Sequence, residues 1–290
     1  VLTLKIQDPF LMPNISERRA NFRKLHETGC FLIPNSWDVG SARYLQHLGF
    51  KAIATTSAGF AFSRGLPDNT VPRDVVLAHI REVVEAVDLP VNADFENGFA
   101  HSPDEVSENV RLAVETGLCG LSIEDSTGDK AKPLYELDDA VTRIKAARAA
   151  IDKSGTDVIL VGRAECFLLG RPEIGEVTRR LKAYSDAGAD CLYAPGIRAP
   201  DHIKAVVKAV APKPVNLLIG GPIGLTMRDA AAMGVRRVSV GGALARAAWG
   251  GFVHAAKELA EKGTFDALAD AVPHGELNEF FRPWAGRGLS

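Results

Sequence analysis

A single phrase recurs along this chain and constrains its fold more than any other feature. An amphipathic stretch ends, a glycine follows, and a short apolar run comes next. It reads HLGFKAIA at 47–54, ETGLCGLSI at 115–123, DAGADCLYA at 186–194 and AMGVRRVSV at 232–240. Glycine at the end of a helix adopts the left-handed conformation that side chains resist, so each copy predicts helix, cap and strand. Repeated βα units of this kind predict one parallel sheet rather than two separate domains.

The apolar runs give the count. They lie at Cys30–Ile33, Ala52–Thr56, Pro90–Phe95, Cys119–Glu124, Val158–Arg163, Cys191–Ala194, Val215–Ile219 and Arg237–Val240. They are nearly continuous in apolar character rather than alternating, as parallel strands covered by helices are. Eight such strands close an α/β barrel of the (β/α)8 type, which takes ~250 residues. The 290 residues therefore fit one (β/α)8 TIM-barrel domain over 1–290.

Helices are expected between the runs. Glu17–Thr28 follows Ser16 as N-cap, Val39–Leu48 follows Asp38, and Pro103–Glu115 follows Ser102 with Glu105 in the capping-box place. Arg73–Val87, Leu137–Lys153, Pro172–Ala187, Ala199–Val210 and Thr226–Met233 complete the series. The segment 243–290 is longer than one closing helix requires. It reads as a helix at Ala243–Lys262, two short ones at Thr264–Val272 and Gly275–Phe281, and an aromatic tail. Such a tail is expected to pack on a neighbouring subunit, as a C-terminal helical extension for oligomer packing.

Composition excludes several classes. Net charge is -2 and the densest basic runs are pairs, which argues against a nucleic-acid partner. No apolar run approaches the ~20 residues of a membrane span, and residues 1–14 lack the pattern of a signal peptide. The cysteines, Cys30, Cys119, Cys166 and Cys191, form no C-x-x-C pair and read as reduced thiols. The expected location is the cytoplasm.

Barrel chemistry sits at the C-terminal ends of the strands. There the carboxylates stand out: Asp94 and Glu96 end the third run and Glu124 ends the fourth. Asp94 and Glu96 are two apart, so on an extended strand end they point the same way. Converging carboxylates repel unless a cation neutralises them, and oxygen donors without His or Cys select a hard ion, Mg2+ or Mn2+. The competing reading is a set of rim ion pairs with Arg163. Arg163 itself is suited to clamp an anionic carboxylate. The Ser57-Ala58-Gly59 turn could offer backbone N–H groups to an anion, and Asn216 sits on the seventh run. Gly220, Gly221, Gly241 and Gly242 raise a weaker alternative, a phosphate site after the last two strands. His101, the one histidine near this cluster, and Cys166, which nothing in the sequence pairs with a base, are minor candidates.

At these residues the sequence resembles the isocitrate lyase/phosphoenolpyruvate mutase superfamily, over roughly Arg18 to Ala255. The resemblance rests on four segments: NSWDVGSARYLQHLGFKAIATTSAGFAFSRGLPD with Ser57–Gly59 and Asp68, VNADFENGFA with Asp94 and Glu96, LSIED with Glu124, and VGRAECF with Arg163. It implies Mg2+ at Asp94, with Glu96, Glu124 and Asp68 holding the metal's waters. It implies a small α-keto or α-hydroxy acid as substrate, its carboxylate held by Arg163 and the Ser57–Gly59 turn. It also implies a helix-swapped homotetramer, a dimer of dimers. The shared chemistry is an enolate, stabilised by the cation and a nearby Arg as a C–C or C–P bond breaks.

The sequence departs from the family in the loop after the fourth run. The C–C lyases carry K-[KR]-C-G-H there, and this chain has STGDKAKPLYELD, without Cys or His. Lys130 takes the lysine position and Lys132 the Cys position. The mutase branch carries two Lys and an Asn, of which only Lys130 could match. The catalytic set is therefore read as Arg163, Glu124 and Lys130. Decarboxylation of oxaloacetate survives the loss of the loop acid best. The expected activity is a Mg2+-dependent carbon–carbon lyase. Phosphonopyruvate-type mutase or hydrolase chemistry is the alternative within the family, and a ligand-binding barrel without catalysis the alternative outside it.

Overall fold

A computed structural model describes residues 14–285. Nine parallel strands form one sheet: β1 (Phe31–Ile33), β2 (Asn35–Ser36), β3 (Ile53–Thr55), β4 (Val91–Asp94), β5 (Gly120–Glu124), β6 (Ile159–Arg163), β7 (Cys191–Tyr193), β8 (Val215–Leu218) and β9 (Arg237–Ser239). Their order is β1-β9-β8-β7-β6-β5-β4-β3-β2. The strands follow the eight expected runs with one addition. The first strand is broken at Pro34, so β1 pairs with β9 and β2 pairs with β3. Proline has no N–H to give a neighbouring strand, which explains the break. Its carbonyl still accepts from Ala54 N–H at 2.9 Å. The Asn35 side chain spans the remaining seam, its Oδ1 accepting from Val240 N–H at 3.0 Å and Gly241 N–H at 2.8 Å. The result is a nearly closed TIM-type barrel.

Eleven α-helices are present among the described residues: α1 (Ile15–Leu25), α2 (Val39–His47), α3 (Ser57–Ser63), α4 (Arg73–Ala86), α5 (Pro103–Val114), α6 (Leu137–Lys153), α7 (Ile174–Asp186), α8 (Pro200–Val210), α9 (Met227–Ala232), α10 (Ala243–Lys262) and α11 (His274–Phe281). Two differ from expectation. The N-cap of α1 is Asn14 rather than Ser16, because Asn14 and Glu17 close a full capping box. The Ser57-Ala58-Gly59 segment is no turn but the first turn of α3, capped by Thr56. Gly29, Gly49, Gly117, Gly188 and Gly234 all have positive φ, as the recurring phrase requires.

Side chains alternate along each strand and so sort into two cores. Leu121, Ile123, Leu160, Leu192 and Leu217 face outward into the large cluster shared with the helices. Ile33, Ala54, Ile159, Val161 and Cys191 form a second cluster with Phe22 of α1. Ile159 and Val161 share a face with Arg163, so this second cluster fills the barrel beneath the strand ends. Two buried arginines fix α1 at its place. Arg18 donates to Val84 O and Val87 O, and Arg19 to Leu118 O and Val114 O. These carbonyls lie at or just past helix C-termini and would otherwise lack partners.

The chain divides into two compact units between Ala245 and Arg246. The second holds most of α10, a 3-10 turn at Asp266–Asp270, and α11. Within it, Glu258 accepts from Ala267 N–H at 2.6 Å and Asp266 N–H at 3.1 Å. Phe280, Phe281 and Trp284 pack edge-on and tilted against one another. No helix among the described residues is long and apolar enough to cross a membrane.

Candidate active site

Adjacent strands deliver the charged groups in register. Glu124 ends β5 directly opposite Arg163 at the end of β6, and Asp94 ends β4. Asp94 Oδ2 accepts from the Ser57 N–H at 3.1 Å and the Ser57 hydroxyl at 3.0 Å. Its Oδ1 lies 3.2 Å from Arg163 Nη1. The same Nη1 lies 3.2 Å from Glu124 Oε2, while Arg163 Nε meets Glu165 Oε1 at 2.5 Å. The guanidinium carbon sits 5.2 Å from the centre of the Tyr193 ring. Arg163 thus serves three carboxylates through two nitrogens. None of the described residues accepts a hydrogen bond from its Nη2, which leaves that edge for a ligand.

One guanidinium does not balance this many acids. Burial, followed by the charges of Asp94 and Asp68, pushes the Glu96 carboxyl up to about 8. Burial also raises Asp68, with the Ser57 hydroxyl opposing and Asp94 adding to the rise. Glu124 is driven well above the ordinary range by burial although Arg163 draws it down, and Glu165 is raised in the same way. Burial opposes the charge of Arg163, yet Glu124, Glu165 and Asp94 hold it above its usual value. Around Arg163 the acids outnumber the cations.

Two adjoining cavities divide the expected residues. The inner one, about 150 Å3, is lined by Ser57, Ala58, Asp68, Asp94, Arg163 and Asn216 among others. The outer one, about 700 Å3, is lined by Asp68, Glu96, Glu124 and Lys130. Asp94 borders the inner cavity and Glu96 the outer one, while a small cavity of about 10 Å3 is bordered by both. Glu96 has φ +47°, so the extended alternation ends at Asp94 and Glu96 turns to the outer cavity. Gly59 lines neither. Its N–H is taken by Thr56 Oγ1 at 3.3 Å, and a Cβ there would lie 2.7 Å from Thr56 Cγ2 and 2.9 Å from Trp37 Cβ. Gly59 is required by close packing, and with Ser57 N–H committed to Asp94, two of the three expected anion donors are engaged. The rim ion pairs account for Asp94 and Glu124. Glu96 and Asp68 have no ion-pair partner among the described residues.

The loop after β5 folds back on itself. Ser126 and Leu134 form an antiparallel bridge, and Thr127 N–H reaches Pro133 O at 3.0 Å. It presents Lys130, and not Lys132, to the outer cavity. His101 bonds to the Tyr135 hydroxyl and lines neither cavity. Cys166 is buried and its thiol is pushed up to about 12, which keeps it protonated and no nucleophile. Gly241 and Gly242, from the glycine pairs, both line the inner cavity, and Gly241 gives its N–H to Asn35.

Sequence reasoning missed the support beneath these groups. Asp125 is 2% exposed and holds three donors: Glu165 N–H at 2.8 Å, Arg180 Nη1 at 3.0 Å and the Tyr184 hydroxyl at 2.6 Å. It thereby fixes the backbone of Glu165, which in turn orients Arg163. Tyr193, Ser239 and Arg237 also line the inner cavity. Only the LSIED motif, where Asp125 follows Glu124, carried a visible signal.

The donors fit a hydrated divalent cation rather than a protein cage. No three His, Cys, Asp or Glu residues among the described residues are disposed to hold a metal by themselves. Mg2+ commonly keeps several waters and takes one or two carboxylates, which matches Asp94 with its neighbours at a distance.

Comparisons with known proteins bear on the family and the fold. The family model described as phosphoenolpyruvate phosphomutase matches residues 22–260. An uncharacterised protein of Mycobacterium tuberculosis is 32% identical over 89% of this chain and 94% of its own length. An oxaloacetate decarboxylase of Paraburkholderia xenovorans is 29% identical over 79% of this chain and 76% of its own. Among solved structures, one protein from Burkholderia cenocepacia J2315 shares 49% identity with a TM-score of 0.90, covering 92% of this chain and 97% of its own. An oxaloacetate acetylhydrolase bound to its product oxalate shares 26% identity with a TM-score of 0.82, covering 95% of this chain and 99% of its own.

Proposed function

Because the chain belongs to the phosphoenolpyruvate phosphomutase family, within the isocitrate lyase/phosphoenolpyruvate mutase superfamily, we propose that it is a Mg2+-dependent carbon–carbon lyase of a small α-keto or α-hydroxy acid. Oxaloacetate-type decarboxylation is the leading reaction. The observation that carries this is the surplus of carboxylate at Asp94, Glu96, Glu124 and Asp68 beside an arginine with one free edge.

Asp94 is the direct ligand in this reading, and Glu96, Glu124 and Asp68 hold the ion's water; Mn2+ suits the same oxygens. When bound, the ion supplies the positive charge that the keto oxygen needs as the bond breaks. Ser57 fixes the Asp94 carboxylate through its N–H and hydroxyl. Arg163 offers Nη2 to the substrate carboxylate, and Asn216 adds a polar contact on the inner wall. Lys130, on the wall of the outer cavity, is the loop group placed to deliver a proton.

The description of the matching family favours one second reading, carbon–phosphorus mutase or hydrolase chemistry. Assays with Mg2+ separate the two. Pyruvate and CO2 from oxaloacetate support the lyase, and phosphoenolpyruvate or phosphate from phosphonopyruvate supports the alternative. Metal binding without turnover of either leaves a binding barrel. Four free cysteines fit a reducing compartment, so the same reading places the protein in the cytoplasm. It also includes a homotetramer built through segment 243–290. A monomer in sedimentation velocity at micromolar concentration would remove that part.

A further inference from the structure

Several arginines are buried in this protein, and most have an evident structural task. Arg18 and Arg19 bind carbonyls near helix ends, and Arg143 binds His101 O and Asn97 O. Arg237 differs. It rises from β9 inside the barrel, is 3% exposed, and lines the inner cavity. Its Nε donates to Asn216 Oδ1 at 2.8 Å and its Nη1 to Asn92 Oδ1 at 3.2 Å. His26 Nε2 lies 3.4 Å away. All three partners are neutral, since burial and the Arg237 charge push His26 down to about 3.

No described carboxylate forms an ion pair with Arg237, and none accepts from its Nη2. Burial lowers Arg237 below its ordinary value, and only the weak acids Cys191 and Tyr193 oppose that. The inner cavity therefore has two unlike ends. Arg163 has its charge balanced by Asp94, Glu124 and Glu165 at one end, with Nη2 left for the first carboxylate. At the other stands a guanidinium with no counter-charge. Uncompensated buried charge is strongly destabilising, and a charge on a cavity wall can be compensated by what the cavity holds. The cavity of about 150 Å3 has room for roughly five waters, or one short diacid.

We propose that Arg237, flanked by Asn92, Asn216 and Ser239, is an anion subsite in the inner cavity that receives a second carboxylate of the ligand. The ligand class is then a short dicarboxylate that spans from the Asp94–Arg163 end to Arg237. The assignment rests on the proposed function for the placement of the first carboxylate. Asn216 is held for this task, its Oδ1 occupied by Arg237 and its Nδ2 donating to Ser239 Oγ at 2.9 Å. Its amide therefore presents only N–H to a ligand, as an anion requires.

The test is calorimetric titration of the full chain with Mg2+ present, using oxalate, malate and 2-hydroxybutyrate. Malate and 2-hydroxybutyrate share the chelating end and differ only in a distal carboxylate or methyl group. Wild type is expected to bind malate roughly ten- to a hundredfold more tightly, the range of one charge-assisted hydrogen bond. Arg237→Gln should lose that preference and still bind oxalate as wild type does, while Arg237→Lys should retain part of it. A preference that survives in Arg237→Gln overturns the assignment. Equal wild-type affinities for malate and 2-hydroxybutyrate overturn it without any variant. Failure of wild type to bind oxalate with Mg2+ counts instead against the proposed function.

Discussion

Asp125 offers the sharpest test of how the fold supports the site. It is 2% exposed and takes hydrogen bonds from Glu165 N–H, Arg180 and Tyr184. Asp125→Asn preserves the shape and the acceptor for Glu165 N–H. It places an NH2 group where Oδ2 received Arg180 Nη1 and the Tyr184 hydroxyl. The hydroxyl can rotate to accept, but the buried Arg180 cannot reverse. Glu176, bonded to Arg180 Nε at 2.6 Å, then remains its one anionic partner among the described residues. Removing one partner of a buried ion pair costs about 3–5 kcal/mol, and the surviving Glu176 contact sets this case near 3. At ~2–4 °C per kcal/mol for a chain of this size, the melting temperature should fall by roughly 6–12 °C. Tyr184→Phe loses the hydroxyl's bond to Asp125 and a long 3.5 Å bond from Arg180 but removes no charge, and should cost less, about 1.5–3 kcal/mol. Urea unfolding of both variants reads these values directly. An Asp125→Asn protein within ~0.5 kcal/mol of wild type, the spread of ordinary surface changes, would falsify the argument that this carboxylate is the hub.

Three further outcomes follow from the same geometry. Glu96 ionises at 4.5 when free and about 8 in the fold, so the folded state holds the extra proton between those values. In metal-free protein Glu96 should therefore contribute a loss of stability as pH rises from 5 to 8, of no more than about 1.4 kcal/mol per pH unit for this one group, and Glu96→Gln should lessen the slope to which Asp68, Glu124 and Glu165 also contribute; a slope unchanged in the variant contradicts the assignment. A Cβ at Gly120 would meet Asn92 Oδ1 at 2.7 Å and Phe22 Cε1 at 2.8 Å, so Gly120→Ala should cost about 1–3 kcal/mol in thermal unfolding. Lys130→Ala should lower kcat roughly 10²–10⁴-fold, the range for a general acid, with Mg2+ affinity in calorimetry little changed; full activity in the variant removes Lys130 from proton transfer.

The barrel was legible because buried parallel strands are apolar throughout and α2, α5, α7 and α9 each end on a left-handed glycine. The break at Pro34 was less so, since Asn35 and Ser36 read as loop and are drawn into the sheet only by β3. Helix α3 was hidden for a related reason: TTSAGFAFS has turn residues at its start, and its helix depends on the Thr56 cap and on packing against Trp37. In the site, strand ends located Asp94, Glu124 and Arg163 because register places neighbours side by side. Glu96 departed because one positive φ breaks the two-residue period, which no residue type in FEN announces. Arg237 stood at the start of the last apolar run as half of a basic pair with Arg236, with nothing to mark it as a cavity residue. Strand alternation in fact sends one inside and leaves the other to bond Gly29 O at the exposed end of the strand.

Calorimetric titration of Mg2+ in the presence of oxalate, into wild type and Asp94→Ala, bears most directly on the metal-centred reading. Wild type should bind one ion per chain, and Asp94→Ala should lose most of that affinity while keeping the fold by circular dichroism. Equal binding by both proteins, or binding by neither, contradicts a metal site at Asp94.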